Sequence, residues 1–180
     1  MRNKGFTLIE LIIYVAIASG VLVSVITFAW AVIGSGVKVD VSSELTQNGR
    51  FVLEKITQEI HAAEDVVIGS STFGVSPGVL TLDLSGPNTD VVFDTYAKDV
   101  TVGGQVISIT KLRMQDGTDP AVDITSDKVN LTNFVLTNLT RDTEPANINI
   151  EITLVHITTG EDPLRDRNLS FETAVSIREK

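Results

Sequence analysis

The sequence predicts an α+β protein, with a long N-terminal α-helix, apolar in its first half, whose second half packs on an antiparallel β-sheet head. Three patterns carry that expectation. No acidic or basic residue occurs between Leu11 and Val37. Beyond that run, Leu45, Val52, Ile56 and Ile60 recur at spacings that line one face of a helix. From Val79 onward the chain breaks into β-prone segments bounded by Gly, Pro, Asn and Asp.

The uncharged run comes first. It holds about 27 residues, against the roughly 20 needed to cross a bilayer. Tyr14 and Trp30 lie near its ends, where aromatic side chains anchor at a membrane interface. Arg2 and Lys4 precede it, and the next basic residue is Lys38. The positive-inside tendency therefore keeps the extreme N-terminus cytoplasmic and exports everything after Lys38 across the inner membrane. A cleaved secretory signal has an apolar core of about 7–15 residues, shorter than this run. A plain single-pass anchor fits the length but leaves Glu10 unexplained, because a carboxylate at membrane depth is costly and marks a functional site.

Gly34-Ser35-Gly36 interrupts the aliphatic run. Two glycines cost a helix roughly 1 kcal/mol each relative to Ala, so a kink or local loosening is expected there. The stripe through Ile60 then continues the helix, with Ser42, Glu44, Gln47, Asn48, Glu54, Lys55, Gln58 and Glu59 on the other faces, and ends near Ala62-Ala63. Strands are expected at Val79–Leu84, Val91–Tyr96, Val106–Met114, Val129–Leu139, Ile148–Ile157 and Leu169–Ile177. Alternation puts Ile148, Ile150, Ile152 and Leu154 on one face, and likewise Leu169, Phe171, Val175 and Ile177. Such strands are half-buried, with one side on the helix and one in water. Gly103-Gly104 reads as a hairpin turn, and Asp83 to Asp90 as a loop.

Composition narrows the chemistry. With 23 acidic and 14 basic residues the formal charge is -9, which disfavours direct nucleic-acid binding by this chain alone. The absence of cysteine excludes disulfides, thiolate metal sites and a Cys nucleophile. Gly74-Val75-Ser76-Pro77-Gly78 has the G-x-S-x-G spacing of a hydrolase elbow. Pro77, however, has no N–H to give an oxyanion, and no helix follows. No catalytic constellation is found, and the chain reads as a non-enzyme without a cofactor. Asp116, Asp119, Asp123 and Asp127, with Gly117 and Pro120, form an acidic segment. Oxygen-rich loops can take calcium, which makes these four the candidate ligands; EF-hand spacing is absent, and a solvated turn-rich loop is the plainer reading. The sequons at Asn130, Asn138 and Asn168 read as strand and turn residues. His61 belongs at a helix end near the last carbonyls, and His156 fills a strand face.

The N-terminal residues carry a more specific signal. Lys4-Gly5-Phe6-Thr7-Leu8-Ile9-Glu10, opening a long apolar helix, resembles the class III signal of type IV prepilins and pseudopilins. The match includes a short basic leader with Arg2 and Lys4, a Gly, a Phe, and an acid five residues into the mature chain. The resemblance implies cleavage between Gly5 and Phe6 by a membrane prepilin peptidase, N-methylation of Phe6, and a type IV pilin-like fold. It further implies that Glu10 pairs with the N-terminal amine of a neighbouring subunit. Gly5 suits the cut, since a backbone without a side chain can be approached closely. A buried charge left unpaired costs about 3–5 kcal/mol, so assembly would relieve Glu10 and reward correct register.

The stretch from Gln47-Asn48-Gly49-Arg50-Phe51 to Ile60-His61-Ala62-Ala63 is also similar to the second-half helix of PilW-like and J-type minor pilins. On this reading residues 1–5 are the leader, 6–37 the transmembrane and filament-core helix, 38–63 its amphipathic continuation, and 64–180 the exported head. The resemblance implies a structural minor subunit of a type IV pilus, type II secretion or competence filament. Its partners are other pilins through the N-terminal helix, the prepilin peptidase and the inner-membrane assembly platform, and it rests in the membrane before assembly. Some pseudopilins bind calcium, which keeps the four aspartates in view. The alternative is an uncleaved, membrane-anchored binding module with an acidic head.

Overall fold

The computed structural model describes residues 7–86, 89–141, 145–158 and 167–178. Its elements are α1 (Leu8–Ala62), β1 (Asp65–Val66), a 3-10 turn (Ile68–Ser70), β2 (Leu80–Asp83), β3 (Val91–Val102), β4 (Gln105–Asp116), β5 (Val122–Asp123), β6 (Val129–Asn138), β7 (Asn147–His156) and β8 (Asn168–Ser176). The expected α+β class is therefore observed, with one long apolar N-terminal helix and antiparallel sheets. The chain divides into two compact units, Met1–Val39 and Asp40–Lys180.

In the first unit the described chain is helical from Leu8, and this helix is long and apolar enough to cross a membrane. Its hydroxyls turn inward on the backbone. Thr27 Oγ1 donates to the Val23 carbonyl at 2.8 Å, and Ser35 Oγ to the Ala31 carbonyl at 2.9 Å. These hydroxyls thereby meet a partner within the helix, as a low-dielectric surrounding favours. Gly34, Ser35 and Gly36 are helical, so the helix runs unbroken through the place where a kink or local loosening is expected. Propensity is a weak prior, and the ladder on either side carries two glycines without a break.

In the second unit α1 buries Val41, Leu45, Gly49, Val52, Ile56 and Ile60. The stripe anticipated at four positions thus continues through Val41 and Gly49, at steps of four and three that keep one face inward. It meets Leu80, Leu82, Val91, Phe93 and Leu112 from one sheet and Phe134, Leu136, Ile148, Ile150, Ile152 and Leu154 from the other, in one core. Fully burying a Leu, Ile or Phe contributes about 1.5–3 kcal/mol each, so this shared core is the main source of stability.

The sheets are antiparallel, with orders β1-β2-β3-β4-β5 and β6-β7-β8. The β3–β4 hairpin pairs Val102 with Gln105 around Gly103 and Gly104, whose φ angles are 57° and 83°. That is the left-handed two-residue turn for which glycine is suited. β3 runs six residues past its expected end. The tight turn holds register through Ala97–Val102, and Lys98 within that stretch pairs with Asp123 and Asp127, as described below. Two elements were not anticipated, β1 and β5, because strands of two residues carry no readable period.

The two sheets are stitched by the segment from Val122 to Asn130. The Ile124 N–H donates to the Leu112 carbonyl at 2.9 Å, and the Leu112 N–H to Thr125 Oγ1 at 3.2 Å. The Thr110 N–H donates to Asn130 Oδ1 at 2.8 Å. The edge of β6 is covered in turn by the loop at 74–78. Gly74 and Gly78 donate to the Leu136 and Phe134 carbonyls, both at 2.8 Å, and the Phe134 N–H reaches Ser76 Oγ at 3.1 Å. Ser76, the central residue of the elbow-like spacing, thus serves as a backbone acceptor.

Gly49 has a steric role on the buried stripe. A Cβ there would lie 2.2 Å from a ring carbon of Phe171 on β8. Gly49→Ala should lower stability by about 1–3 kcal/mol despite its better helix propensity, because overpacking outweighs it. Chemical denaturation of Gly49→Ala, Phe171→Ala and the double variant checks this. The Gly49→Ala penalty is expected to disappear in the Phe171→Ala background.

Candidate functional site

The residues singled out by sequence fall in two places, the N-terminal signal and the acidic segment. Arg2, Lys4, Gly5 and Phe6 lie outside the described residues. Glu10 is described, solvent-exposed, and sits in the first turn of α1. Thr7 Oγ1 accepts the Glu10 backbone N–H at 3.3 Å, and the Leu11 N–H reaches the Thr7 carbonyl at 3.2 Å. Thr7 is therefore the N-cap. Thr7-Leu8-Ile9-Glu10 has the T-x-x-E order of a capping box, with an acid at the positive end of the helix dipole. Sequence reasoning passed over the Thr7 cap, although the T-x-x-E spacing was readable.

The helix behind this cap is exposed among the described residues. Large apolar side chains from Leu8 to Ile33 are all at least 48% exposed, and Phe28 and Trp30 are 72% exposed. An apolar surface of this extent, far larger than a soluble monomer shows, calls for lipid or another protein.

The acidic segment is divided by the structure. Asp116 ends β4, and its carbonyl accepts the Asp119 N–H at 2.9 Å in a turn through Gly117. Asp123 and Asp127 point elsewhere, onto the β3–β4 hairpin. Lys111 Nζ lies 2.6 Å from Asp127 Oδ1 and 3.3 Å from Asp123 Oδ2, while Lys98 Nζ lies 3.0 Å and 3.3 Å from the same two carboxylates. Tyr96 donates its hydroxyl to Asp123 Oδ1 at 2.7 Å. Among the described residues, no group of three or more His, Asp or Glu side chains is placed to hold a metal ion. The calcium reading of Asp116, Asp119, Asp123 and Asp127 therefore has no support in this geometry. Two of the four are already neutralised by ammonium groups, and the other two stand at a separate turn.

Strand register explains the lock. Asp94, Tyr96 and Lys98 share a face of β3 and sit opposite Arg113, Lys111 and Ile109 on β4. Arg113 grips Asp94 with two bonds of 2.6 Å and 2.7 Å and lies 5.0 Å over the Tyr96 ring. The Lys111 side chain is only 2% exposed, and a buried ammonium requires such partners. The signal that would have found it was present: Ile107, Ile109 and Lys111 alternate on one face, so a charge continues an apolar row.

Burial pushes the Asp123 carboxyl up, but the Tyr96 hydroxyl and the two lysines outweigh it and hold it below the usual carboxylate range. Hydrogen bonds from Lys111 and then Lys98 do the same for Asp127. Donating to Asp127 and then to Asp123 raises Lys98.

The helix is fastened to the same segment by the Gln47-Asn48-Gly49-Arg50 stretch. Asn48 Oδ1 accepts the Ser126 N–H at 2.9 Å, and its amide donates to the Glu44 carbonyl at 2.9 Å. Glu44 pairs with Lys128 at 3.4 Å and approaches His156 Nε2 at 3.9 Å. His156 is thus a strand-face residue beside a carboxylate. His61, in the last turn of α1, lines with Ser176 and Arg178 an open cavity of about 380 Å³.

Residues 1–26 match the prokaryotic N-terminal methylation motif as a family. No curated protein and no solved structure matches the chain. The N-terminus is therefore a type IV pilin-like class III signal, and the α+β fold with its long apolar helix agrees with a type IV pilin-like, membrane-anchored protein.

The lock has a defined pH window. Asp123 and Asp127 titrate lower in the folded chain than in the unfolded one. Their contribution is full above about pH 4 and is lost as pH falls through the folded values. Lys98 titrates higher, so its share is full below about pH 10 and is lost as pH rises through the folded value. Denaturation midpoints measured from neutral to acid pH should fall more steeply for the native chain than for an Asp123→Asn, Asp127→Asn double variant; equal slopes would contradict the assignment. Lys111→Met should cost about 2–3 kcal/mol, less than the usual loss of a buried pair, since its partners are partly in water.

Proposed function

We propose that this chain is a structural minor subunit of a type IV pilus, type II secretion or competence filament, neither an enzyme nor a cofactor carrier. The observation that carries the reading is the methylation-motif match over residues 1–26, with Glu10 in the first turn of an exposed apolar helix. A membrane prepilin peptidase cuts between Gly5 and Phe6 and methylates the new amine of Phe6. Removal of Arg2 and Lys4 takes away the charges that hold the leader cytoplasmic. The helix then leaves lipid for the helices of neighbouring pilins at the inner-membrane assembly platform, and the head stands in the periplasm or outside the cell. The PilW-like, J-type helix favours a minor component near the tip. For this chemistry the apolar helix must be extractable, and the Glu10 carboxylate supplies the drive. It has no counter-charge in lipid and gains one when a neighbouring Phe6 amine docks beside it.

Substitutions at Glu10 separate the charge from the cap. Gln retains the capping-box side chain but carries no charge, whereas Ala loses both. Peptidase cleavage is expected to be unchanged in Glu10→Gln and Glu10→Ala, with both reduced about tenfold or more in sheared filament fractions, the scale of losing a pair worth over 1.4 kcal/mol. Incorporation of Glu10→Gln at the native level with failure of Glu10→Ala would assign Glu10 to the cap alone. Native incorporation of both would remove it from assembly.

A further inference from the structure

The second unit manages its sheet edges unevenly. β1 and β5 are two residues long, and the edge of β6 is covered by the 74–78 loop. β3 beyond Phe93 carries Asp94, Lys98 and Asp99, the kind of charged edge that deters pairing. β8 is different. It extends nine residues, Asn168–Ser176, pairs with β7 alone among the described residues, and bears a single charge, Glu172.

Its outward groups can be identified. The Ile177 N–H donates to the Ala146 carbonyl, and the His156 N–H to the Arg167 carbonyl. With the β7–β8 register, these fix the odd-numbered residues of β8 as those bonded to β7. Asn168, Ser170, Glu172, Ala174 and Ser176 therefore turn their N–H and C=O groups away from the sheet. Among the described residues, none takes them up.

A second observation concerns charge. Glu172 lies directly opposite Glu151 on β7, both exposed. Like charges in facing positions destabilise a sheet. The two carboxylates are held by amides, Asn149 Nδ2 to Glu172 at 2.9 Å and Asn133 Nδ2 to Glu151 at 3.0 Å, and neither has a cationic partner among the described residues. The row ends at the bare edge, with an acid as its last member.

We propose that β8 accepts an added strand from another polypeptide, and that this strand places a Lys or Arg beside Glu172. The backbone of β8 supplies affinity, and the Glu151–Glu172 pair selects a basic side chain at one position. A second copy of β8 does not meet this requirement, because the strand has no basic residue to offer. The inference is independent of the filament reading, since it rests on the edge and its charges alone.

The test uses the full-length chain in detergent micelles and two labelled nonapeptides, Thr-Val-Thr-Val-Lys-Val-Thr-Val-Thr and its Glu-centred counterpart. The Lys-centred peptide should bind roughly fivefold more tightly, the scale of replacing a repulsive facing pair with an attractive one. Glu172→Lys should reverse the order. Hydrogen exchange should slow at the amides of Ser170, Glu172 and Ala174 when the peptide is bound. Ala174→Pro, which removes an outward donor, should abolish binding. So should a peptide N-methylated along its pairing edge, a measurement that leaves the chain unaltered. Failure of the Lys-centred peptide to bind at millimolar concentration, or binding without protection of those amides, would overturn the proposal.

Discussion

The constraint on which the rest of this molecule depends is that half of its helix leaves its large apolar side chains exposed among the described residues. Residues Leu8 to Ile33 present their aliphatic and aromatic side chains to the surroundings. The unit from Asp40 onward, by contrast, closes its own core around the other half of α1. The second unit holds its core within itself, and the exposed apolar segment calls for lipid or another protein. A helix whose backbone groups bond within the helix, with Ser19, Thr27 and Ser35 turned back on i−4 carbonyls, is compatible with both lipid and a bundle of like helices.

Within the head, a second dependence runs through the segment from Val122 to Asn130. It is a poor strand, with only two residues in register, yet it joins the two sheets and the helix. Its hold is polar. Backbone bonds attach it to β4, Asn48 attaches it to α1, and Asp123 and Asp127 attach it to two lysines of the hairpin. A hydrophobic strand there would bury more area but would have no preferred register. Facing charges and a directed amide fix one, which is the use of buried polar groups best supported physically.

Much of this was readable in the sequence. The stripe at Leu45, Val52, Ile56 and Ile60, the alternation in β7 and β8, and the Gly103-Gly104 turn are local patterns, and each is observed. What escaped is non-local. Nothing near Asp123 in sequence indicates Lys98 or Lys111, so the four aspartates looked like one oxygen-rich loop until strand pairing separated them. Gly49 reads as a helix weakness until Phe171 is placed against it. At the N-terminus, Glu10 was legible as an anomaly of composition, and its place in the first turn, at the positive end of the helix dipole, is a local reason why an acid is also favourable there.

The account stands on the claim that the apolar helix is released from its leader to change partners. The direct measurement is the intact mass and N-terminal sequence of the full chain, expressed with and without an active prepilin peptidase. A product beginning at Phe6 and heavier by one methyl group is predicted with the enzyme, and the uncut chain without it. A chain that still begins at Met1 in the presence of active peptidase would contradict the account and leave a membrane anchor bearing an acidic β-sheet head.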